Sequence, residues 1–491
     1  MTIHSSHNDE IQDEIQMVFE TFQRKNYSHA EQMAIDFLKK FPFHEQMLKL
    51  LGDILLVQGL GQMAKQVYER AYLFHPQATW FQSVQSTLQK SPAGENKVNV
   101  ENLLAIKSTT TVAAAILTKN EERCIKRCIE SLLDAVDEII LIDTGSSDRT
   151  VEFARNFAKV KILSFKWCED FSAARNFGLK QIESNWILWV DADEYLHPED
   201  VELVRESAAL LETYEPTPLL HPVIWNVMEQ SISVSYSVPR MFPIRGNLRF
   251  HGRIHEQIGP SDGNRYTNLR THDFFVRFRL VHDGYDPKQV NLQEKLERNI
   301  RLLSMMTQEE PDDPTWWLYL GREVLATKQM EKGISYLLKA EEKGKITRGF
   351  GALLEIQRLL VQAYMILEDY SSIENTCNRM LQTDPDFPDT YYYLASMQIE
   401  KAKLLYQIAE ENVLKAKETF HNYLGLVTAT QEIADWKADL LLANIFTKTG
   451  RLYNAKKLYQ DVATKSPVYK TAIEGQIEAI HQEAQRIVKE S

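Results

Sequence analysis

Between residues 111 and 191 four short apolar runs, TVAAAILT, DEIILID, VKILSF and WILWVD, alternate with stretches of helical character such as EERCIKRCIESLL and SAARNFGLKQI. Strand alternating with helix predicts a doubly wound parallel sheet. After residue 215 the rhythm loosens, and segments such as SISVSYSV predict antiparallel strands. The last of the four runs ends abruptly in DADEYLHPED, five apolar residues driven into two aspartates and a glutamate. In an open parallel sheet, ligands collect beyond the carboxyl ends of the strands, which is where these acids fall.

Helical repeats flank this region. Ala30 to Pro42 and Ala64 to Pro76 span 12 positions each and are offset by 34, the tetratricopeptide period. A small residue lets two helices approach, and a proline stands where the second must stop. Ala455 to Pro467 repeats the spacing, Ile373 to Pro385 does so with a larger residue in the small slot, and Trp317, Leu320 and Gly321 match the opening of such a repeat. The chain therefore divides into N-terminal repeats over 1–95, a polar linker over 96–111, an α/β domain over 112–287 and a C-terminal helical domain over 288–491.

At 491 residues two to four domains are expected, and 44% apolar with 25% charged residues is the balance of a folded chain. The net charge of −12 argues against a general affinity for nucleic-acid phosphates or anionic lipid. Cys124, Cys128, Cys168 and Cys377 lack zinc-ligand or redox spacing and read as free thiols. The acidic N-terminus does not resemble a secretory signal, and no apolar run reaches the roughly 20 residues of a transmembrane helix. A cytoplasmic setting is expected.

Five motifs carry the chemistry. In DEIILIDTGSSDRT, Asp143 closes a strand and Gly145 permits a tight turn, so the carboxylate either binds a nucleoside or merely organises its own turn. If Asp191-Ala192-Asp193 stays extended, both carboxylates face one space, and a hard divalent cation relieves their repulsion. Oxygen ligands without a cysteine cluster favour Mg²⁺ or Mn²⁺. In WCEDFSAARNFGLK, Arg175 and Asn176 lie one turn into a helix, where a guanidinium can bridge diphosphate oxygens or simply face solvent. RFHGRIHEQI reads as a strand with Arg249, His251, Arg253 and His255 on one face and Glu256 on the other, unless the strand ends near His255. Glu256 is then a general base raised by desolvation, or a structural acid paired to Arg253 or a lysine. His282, before the turn marked by Asp283 and Gly284, is either a ligand of the same metal or structural.

ILTKNEERCIKRCIESL, IDTGSSDRT, DFSAARNFGL and WVDADEYLHP, in this order, resemble the family-2 glycosyltransferases of GT-A fold over roughly residues 112 to 215. The continuation through RMFP, RFHGRIHEQI and HDGYDPKQVNLQEKLERNIRLL is similar to a bacterial subgroup that joins this domain to tetratricopeptide helices, the glycocin (sublancin-type) peptide S-glycosyltransferases. The resemblance implies a Rossmann-like nucleotide-diphospho-sugar transferase domain between TPR-like regions. It implies that Asp143 contacts the nucleotide, although the family often has a second acid where this chain has Thr144. It further implies that Asp193 binds the metal, that Asp191 holds the ribose or the metal's water, and that His282 completes the metal site. Glu256 or His255 would deprotonate the acceptor.

The expected activity is transfer of a hexose, glucose or GlcNAc, from a UDP-sugar to a Cys or Ser side chain of a ribosomal peptide; family-2 enzymes commonly invert. The repeats either hold the extended acceptor on a concave surface or form a homodimer. Rival readings are transfer to a cell-surface glycan or lipid-linked sugar, and a non-catalytic TPR scaffold with a degenerate transferase domain.

Overall fold

The computed structural model describes residues 2–228, 231–236, 238–263, 265–267, 270–282, 292–420, 422, 427, 429–466 and 470–490. It divides into two compact units, 1–323 with 346–350, and 324–345 with 351–491.

The first unit opens with helices α1 (Thr2–Gln23), α2 (Tyr27–Lys40), α3 (Glu45–Val57), α4 (Gly61–Phe74) and α5 (Trp80–Leu88). Ala30 and Ala64, the small residues of the repeat, are fully buried. Gly52 serves the same close approach, since a Cβ there would lie 2.3 Å from the Tyr68 ring. The stretch expected to be a bare linker contains a helix, α6 (Val98–Leu104), whose Val100 is fully buried against the repeats. Before it, Gly61 and Gln62 donate their backbone N–H groups to Pro92 and Ala93 carbonyls at 2.9 and 3.0 Å. A polar composition concealed one apolar anchor.

The sheet comprises β1 (Val112–Thr118), β2 (Glu138–Asp143), β3 (Val160–Ser164), β4 (Trp186–Asp191), β5 (Glu194–Leu196), β6 (Thr217–Met228), β7 (Ser231–Ser235), β8 (Met241–Pro243) and, after a separate hairpin of β9 (Leu248–His251) and β10 (Gln257–Pro260), β11 (Thr271–His282). Its order is β3-β2-β1-β4-β8-β6-β11-β5, with β7 beside β6. The first four strands are parallel, as the sequence predicts; β8 enters antiparallel to β4 and β6, β7 is antiparallel to β6, and β11 runs parallel to β6.

Crossover helices α7 (Ile125–Leu132), α8 (Thr150–Ala154) and α9 (Phe171–Leu179), followed by α10 (Val201–Leu211), cover the sheet. Along β4 the side chains alternate between two cores, Trp186, Leu188 and Val190 in one, Ile187 and Trp189 in the other. A strand buried on both faces needs apolar residues at every position, which accounts for the unbroken WILWV. The run stops at Asp191 because the strand there reaches solvent at the carboxyl rim.

RFHGRIHEQI is not one strand. It folds back as the β9-β10 hairpin, with Gln257 opposite His251 and Pro260 opposite Leu248. Gly252 turns at φ +92° and His255 at φ +52°, so the predicted sharing of faces by alternate residues fails beyond His251. A Cβ on Gly252 would stand 2.1 Å from the Trp316 ring of α12 (Pro314–Ala326), which follows α11 (Leu292–Glu309). On its other side the hairpin is held by Asn176 of α9, whose amide donates to the Phe250 carbonyl at 2.8 Å and accepts from the Phe250 N–H at 2.9 Å.

The second unit contains α13 (Met330–Ile346), α14 (Leu353–Ile366), α15 (Tyr370–Thr383), the 33-residue α16 (Pro388–Phe420), α17 (Ala438–Lys448), α18 (Leu452–Lys465) and α19 (Lys470–Glu490). Ile373 and Ala455 are buried at their repeat positions, while Pro467 lies outside the described residues. Buried Glu341 is satisfied by Arg379 at 2.7 Å and Gln357 at 3.0 Å. Among the described residues the four cysteines are free, and no helix is long and apolar enough to cross a membrane.

Two substitutions test the hairpin. Gly252→Ala adds strain at a positive φ to a clash with Trp316 and is expected to cost about 2–4 kcal/mol, read by urea unfolding. Asn176→Ala strands two backbone groups and is expected to cost about 2 kcal/mol or more. It should leave the affinity for UDP within threefold; a tenfold loss of affinity at unchanged stability would restore Asn176 to the ligand site.

Candidate donor and acceptor site

At the carboxyl rim, Thr118 of β1 stands beside Asp143 of β2, and Leu117 beside Asp191 of β4. The loops leaving β1 and β2 are laced together. Ser147 N donates to Asn120 Oδ1 at 2.8 Å, Asn120 N to Ser146 Oγ at 2.9 Å, Glu122 N to Asp148 Oδ2 at 3.1 Å and Arg149 N to Glu122 Oε2 at 2.9 Å. Asp143 is buried and accepts from Ser146 N at 3.0 Å and Gly145 N at 3.3 Å, so it does organise its own turn, with Gly145 at φ +105°.

Asp191 and Asp193 part company. Asp191 ends β4, but Ala192 and Asp193 form a turn, so the extended geometry that would aim both carboxylates into one space is absent. Asp191 Oδ2 accepts from Arg240 Nη2 at 2.7 Å and Oδ1 from Arg175 Nη2 at 3.2 Å. Burial opposes ionisation of Asp191, but the two guanidiniums, Arg240 foremost, outweigh it and hold the carboxyl well below the usual range. Asp193 instead meets His282, Oδ2 to Nε2 at 3.0 Å.

His282 meets Asp193 through Nε2. Its Nδ1 donates to Asn226 Oδ1 at 3.1 Å, which directs Nε2 toward Asp193. Sheet pairing sets the position: His282 lies between Glu194 of β5 and Asn226 of β6. The hydrogen bond to Asp193 raises the imidazole pKa, against burial. Asp283 and Gly284 lie outside the described residues.

Arg175 is neither a solvated helix-face arginine nor an open diphosphate clamp. Capped by Asp170, whose Oδ1 accepts from Ala173 N at 2.8 Å, α9 turns Arg175 inward to lie between Asp191 and Glu256, with Glu256 Oε1 accepting from Nε at 2.9 Å. The guanidinium also covers the Trp189 ring at 4.8 Å, and its buried Nη1 has no hydrogen-bond partner among the described residues. Glu256 is therefore paired with Arg175 rather than with Arg253, which binds Glu309 at 2.7 Å. Its surroundings are ionic, not the apolar face expected. Asn176 spends both ends of its amide on the Phe250 backbone. His255 Nε2 meets Glu323 Oε1 of α12 at 2.9 Å.

Three residues escaped the sequence reading. Arg240 bridges Asp191 to buried Glu194, whose Oε1 accepts at 2.9 Å while its Oε2 accepts from Asp191 N at 3.0 Å. Burial pushes the Glu194 carboxyl up to about 7 against the pull of Arg240. Half-buried Glu121, in the loop after β1, is pushed up to about 7 by burial and then by the charge of Asp193. Glu194 and Glu121 stand inside the quoted motifs DADEYL and TKNEER, where the acid next to a strand end was the available signal; Arg240 opens the quoted RMFP, but nothing in that motif assigns it a partner.

The family model "Glycosyl transferase family 2" matches residues 114–213. A glycosyltransferase of Bacillus subtilis (strain 168), SunS, is 31% identical over 294 residues, covering 60% of this chain and 64% of its own. The chain thus spans just under two thirds of that relative. A TPR repeat-containing protein of Synechococcus elongatus is 36% identical over 153 residues, 30% of this chain and 36% of its own. The lipopolysaccharide core biosynthesis glycosyltransferase LpsC of Rhizobium meliloti is 28% identical over 187 residues, 35% of this chain and 65% of its own. A crystal structure of S. aureus TarS aligns with 54% of each chain at 13% identity and a TM-score of 0.32, too slight a likeness to carry weight. The parallel strands, the crossover helices and the acidic rim described above all fall within or beside the matched segment, and residues 114–213 form a glycosyl transferase family 2 domain of GT-A fold.

Proposed function

We propose that this chain is a hexosyltransferase that moves a sugar, glucose or GlcNAc, from a UDP-sugar to a Cys or Ser side chain of a peptide. The observation that carries the reading is the Asp193–His282 pair at 3.0 Å on the rim of a family-2 domain. A divalent cation, Mg²⁺ or Mn²⁺, fits this donor set. Mg²⁺ in particular is usually held by one or two protein carboxylates while phosphates and water supply the remaining positions, and imidazole suits the transition metals. Asn226 supports the fit by fixing the tautomer in which Nε2 is the ligating nitrogen, as second-shell partners of metal-bound histidines do. Asp193 and His282 would hold the cation, which supplies positive charge against the negative charge growing on the departing diphosphate.

The chain's own residues divide the remaining work. Asp191, kept ionised by two guanidiniums, offers an acceptor surface to ribose hydroxyls, and Asp143 ends β2, on the far side of β1 from it. Glu256 is the favoured base over His255, because Arg175 ties it to Asp191 whereas His255 Nε2 is turned to Glu323. The acceptor sulfur or oxygen attacks the anomeric carbon from the face opposite the diphosphate. Its proton passes to Glu256, the new C–S or C–O bond forms, and the bond from the anomeric carbon to the diphosphate oxygen breaks. A cysteine, with an intrinsic pKa of about 8.5, asks less of that base than a serine. The helical repeats would hold the extended acceptor or join two copies of the chain.

A second reading, transfer to a cell-surface glycan, is favoured by the similarity to LpsC. The two separate in one experiment. Incubate the protein with a panel of UDP-sugars, Mn²⁺ or Mg²⁺, and either peptides carrying Cys or Ser or glycan acceptors, then follow UDP release and acceptor mass. A gain of one hexose on the peptide is expected; sugar transfer to glycan acceptors alone would give the second reading the field, and no UDP release with any sugar would leave a non-catalytic scaffold. Chelation with EDTA should abolish turnover and Mn²⁺ restore it. Asp193→Ala and His282→Ala should each lower turnover at least 100-fold in folded protein. Glu256→Gln should lower kcat by about 10²–10⁴ while UDP binding stays within threefold, the split expected of a proton acceptor.

A further inference from the structure

We propose that Arg240 is the positioning residue of the donor site: by gripping Asp191 and Glu194 together it closes the turn that directs Asp193 at His282. The inference rests on the reading of Asp193 and His282 as cation ligands. Arg240 reaches the site from a fixed base, since its carbonyl accepts from Trp189 N of β4 at 2.7 Å and its own N–H donates to the Leu220 carbonyl of β6 at 2.9 Å. Its main chain therefore bridges the two strands on either side of β8.

From that base one nitrogen, Nη2, donates to Asp191 Oδ2 at 2.7 Å and to Glu194 Oε1 at 2.9 Å. Glu194 Oε2 closes the ring by accepting from Asp191 N at 3.0 Å. Asp191 and Glu194 bracket the turn, so both of its ends are clamped and only Ala192 and Asp193 lie between. Glu194 is further fixed opposite His282 by the pairing of β5 with β11. With the ends held, Asp193 has one short arc to occupy, and His282 stands on it. Arg240 and Glu194 are 12% and 4% exposed at their side chains, and among the described residues Arg240 is the basic group that pairs with Glu194. Without it a buried carboxylate is left unpaired and the turn loses its clamp.

The test is titration of UDP by calorimetry in the presence of Mn²⁺, below the melting transition of each protein, for the wild type, Arg240→Met, Arg240→Lys and Glu194→Gln. Arg240→Met should weaken UDP at least tenfold, and Arg240→Lys should recover most of that loss. Glu194→Gln keeps the volume, but only one of its terminal atoms is an acceptor, so it cannot serve Arg240 and Asp191 N at once; UDP should weaken at least threefold. A merely structural Arg240 would lower the melting temperature and leave the affinity of folded protein alone. Folded Arg240→Met binding UDP within twofold of wild type overturns the inference. If Arg240→Met does not fold, wild-type affinity in Glu194→Gln overturns it instead. Wild-type protein that binds no UDP would sink the donor-site reading and this inference together, whereas tight wild-type binding unaffected by the variants removes the inference alone.

Discussion

Five buried or half-buried side chains alternate in sign across the rim of the sheet, Glu256, Arg175, Asp191, Arg240 and Glu194, each within 3.2 Å of the next. Taking such charges out of water costs several kcal/mol apiece, and only close, repeated pairing returns it. The pairing is uneven by one: three carboxylates share two guanidiniums. Asp191, between both cations, is held ionised despite its partial burial, while Glu194, with one, is pushed up to about 7. Glu194 is thus electrostatically unlike Asp191, and the turn between them is arranged around that difference.

The separation of Asp191 from Asp193 follows. Two carboxylates on one extended strand would repel across a shared space. The turn at Ala192 gives each its own counter-group, guanidiniums for Asp191 and an imidazole for Asp193. A cation can therefore engage Asp193 and His282 without competing with Arg175 and Arg240 for the same oxygens.

What the sequence revealed and what it withheld divide by range. Period and composition sufficed for the four parallel strands, the repeat helices with buried Ala30, Ala64 and Ala455, and the placing of Asp143 and Asp191 at strand ends, because each of these is decided by neighbours along the chain. The site's partnerships are decided by residues far apart: Arg175 and Glu256 are separated by 81 positions, Arg240 and Asp191 by 49. No local pattern distinguishes an arginine that will bridge two carboxylates from one that will face solvent. The hairpin was hidden for a different reason. RFHGRIHEQI alternates as a strand should, and only the positive φ of Gly252 and His255, imposed where Trp316 packs against the turn, breaks it. Asn176 likewise sat at a plausible ligand position, yet an amide that can satisfy both groups of one buried peptide unit is worth more to the fold there than to a ligand.

The two sides of the proposed reaction are held by separate frames. Asp193 and His282 take their places from sheet pairing, β5 and β6 on either side of β11, and from the clamp at the end of β4. Glu256 takes its place from the β9-β10 hairpin, which Asn176 fixes to α9 and Trp316 crowds from α12. The described bond that joins the two frames through charge is Arg175, one hand on Asp191 and the other on Glu256. A guanidinium suits that position because it is planar and permanently charged, so the spacing of its nitrogens sets the spacing of the carboxylates. The distance between donor and base is then a property of one side chain rather than of two loops, and acceptors can vary at the hairpin without loosening the hold on the sugar nucleotide.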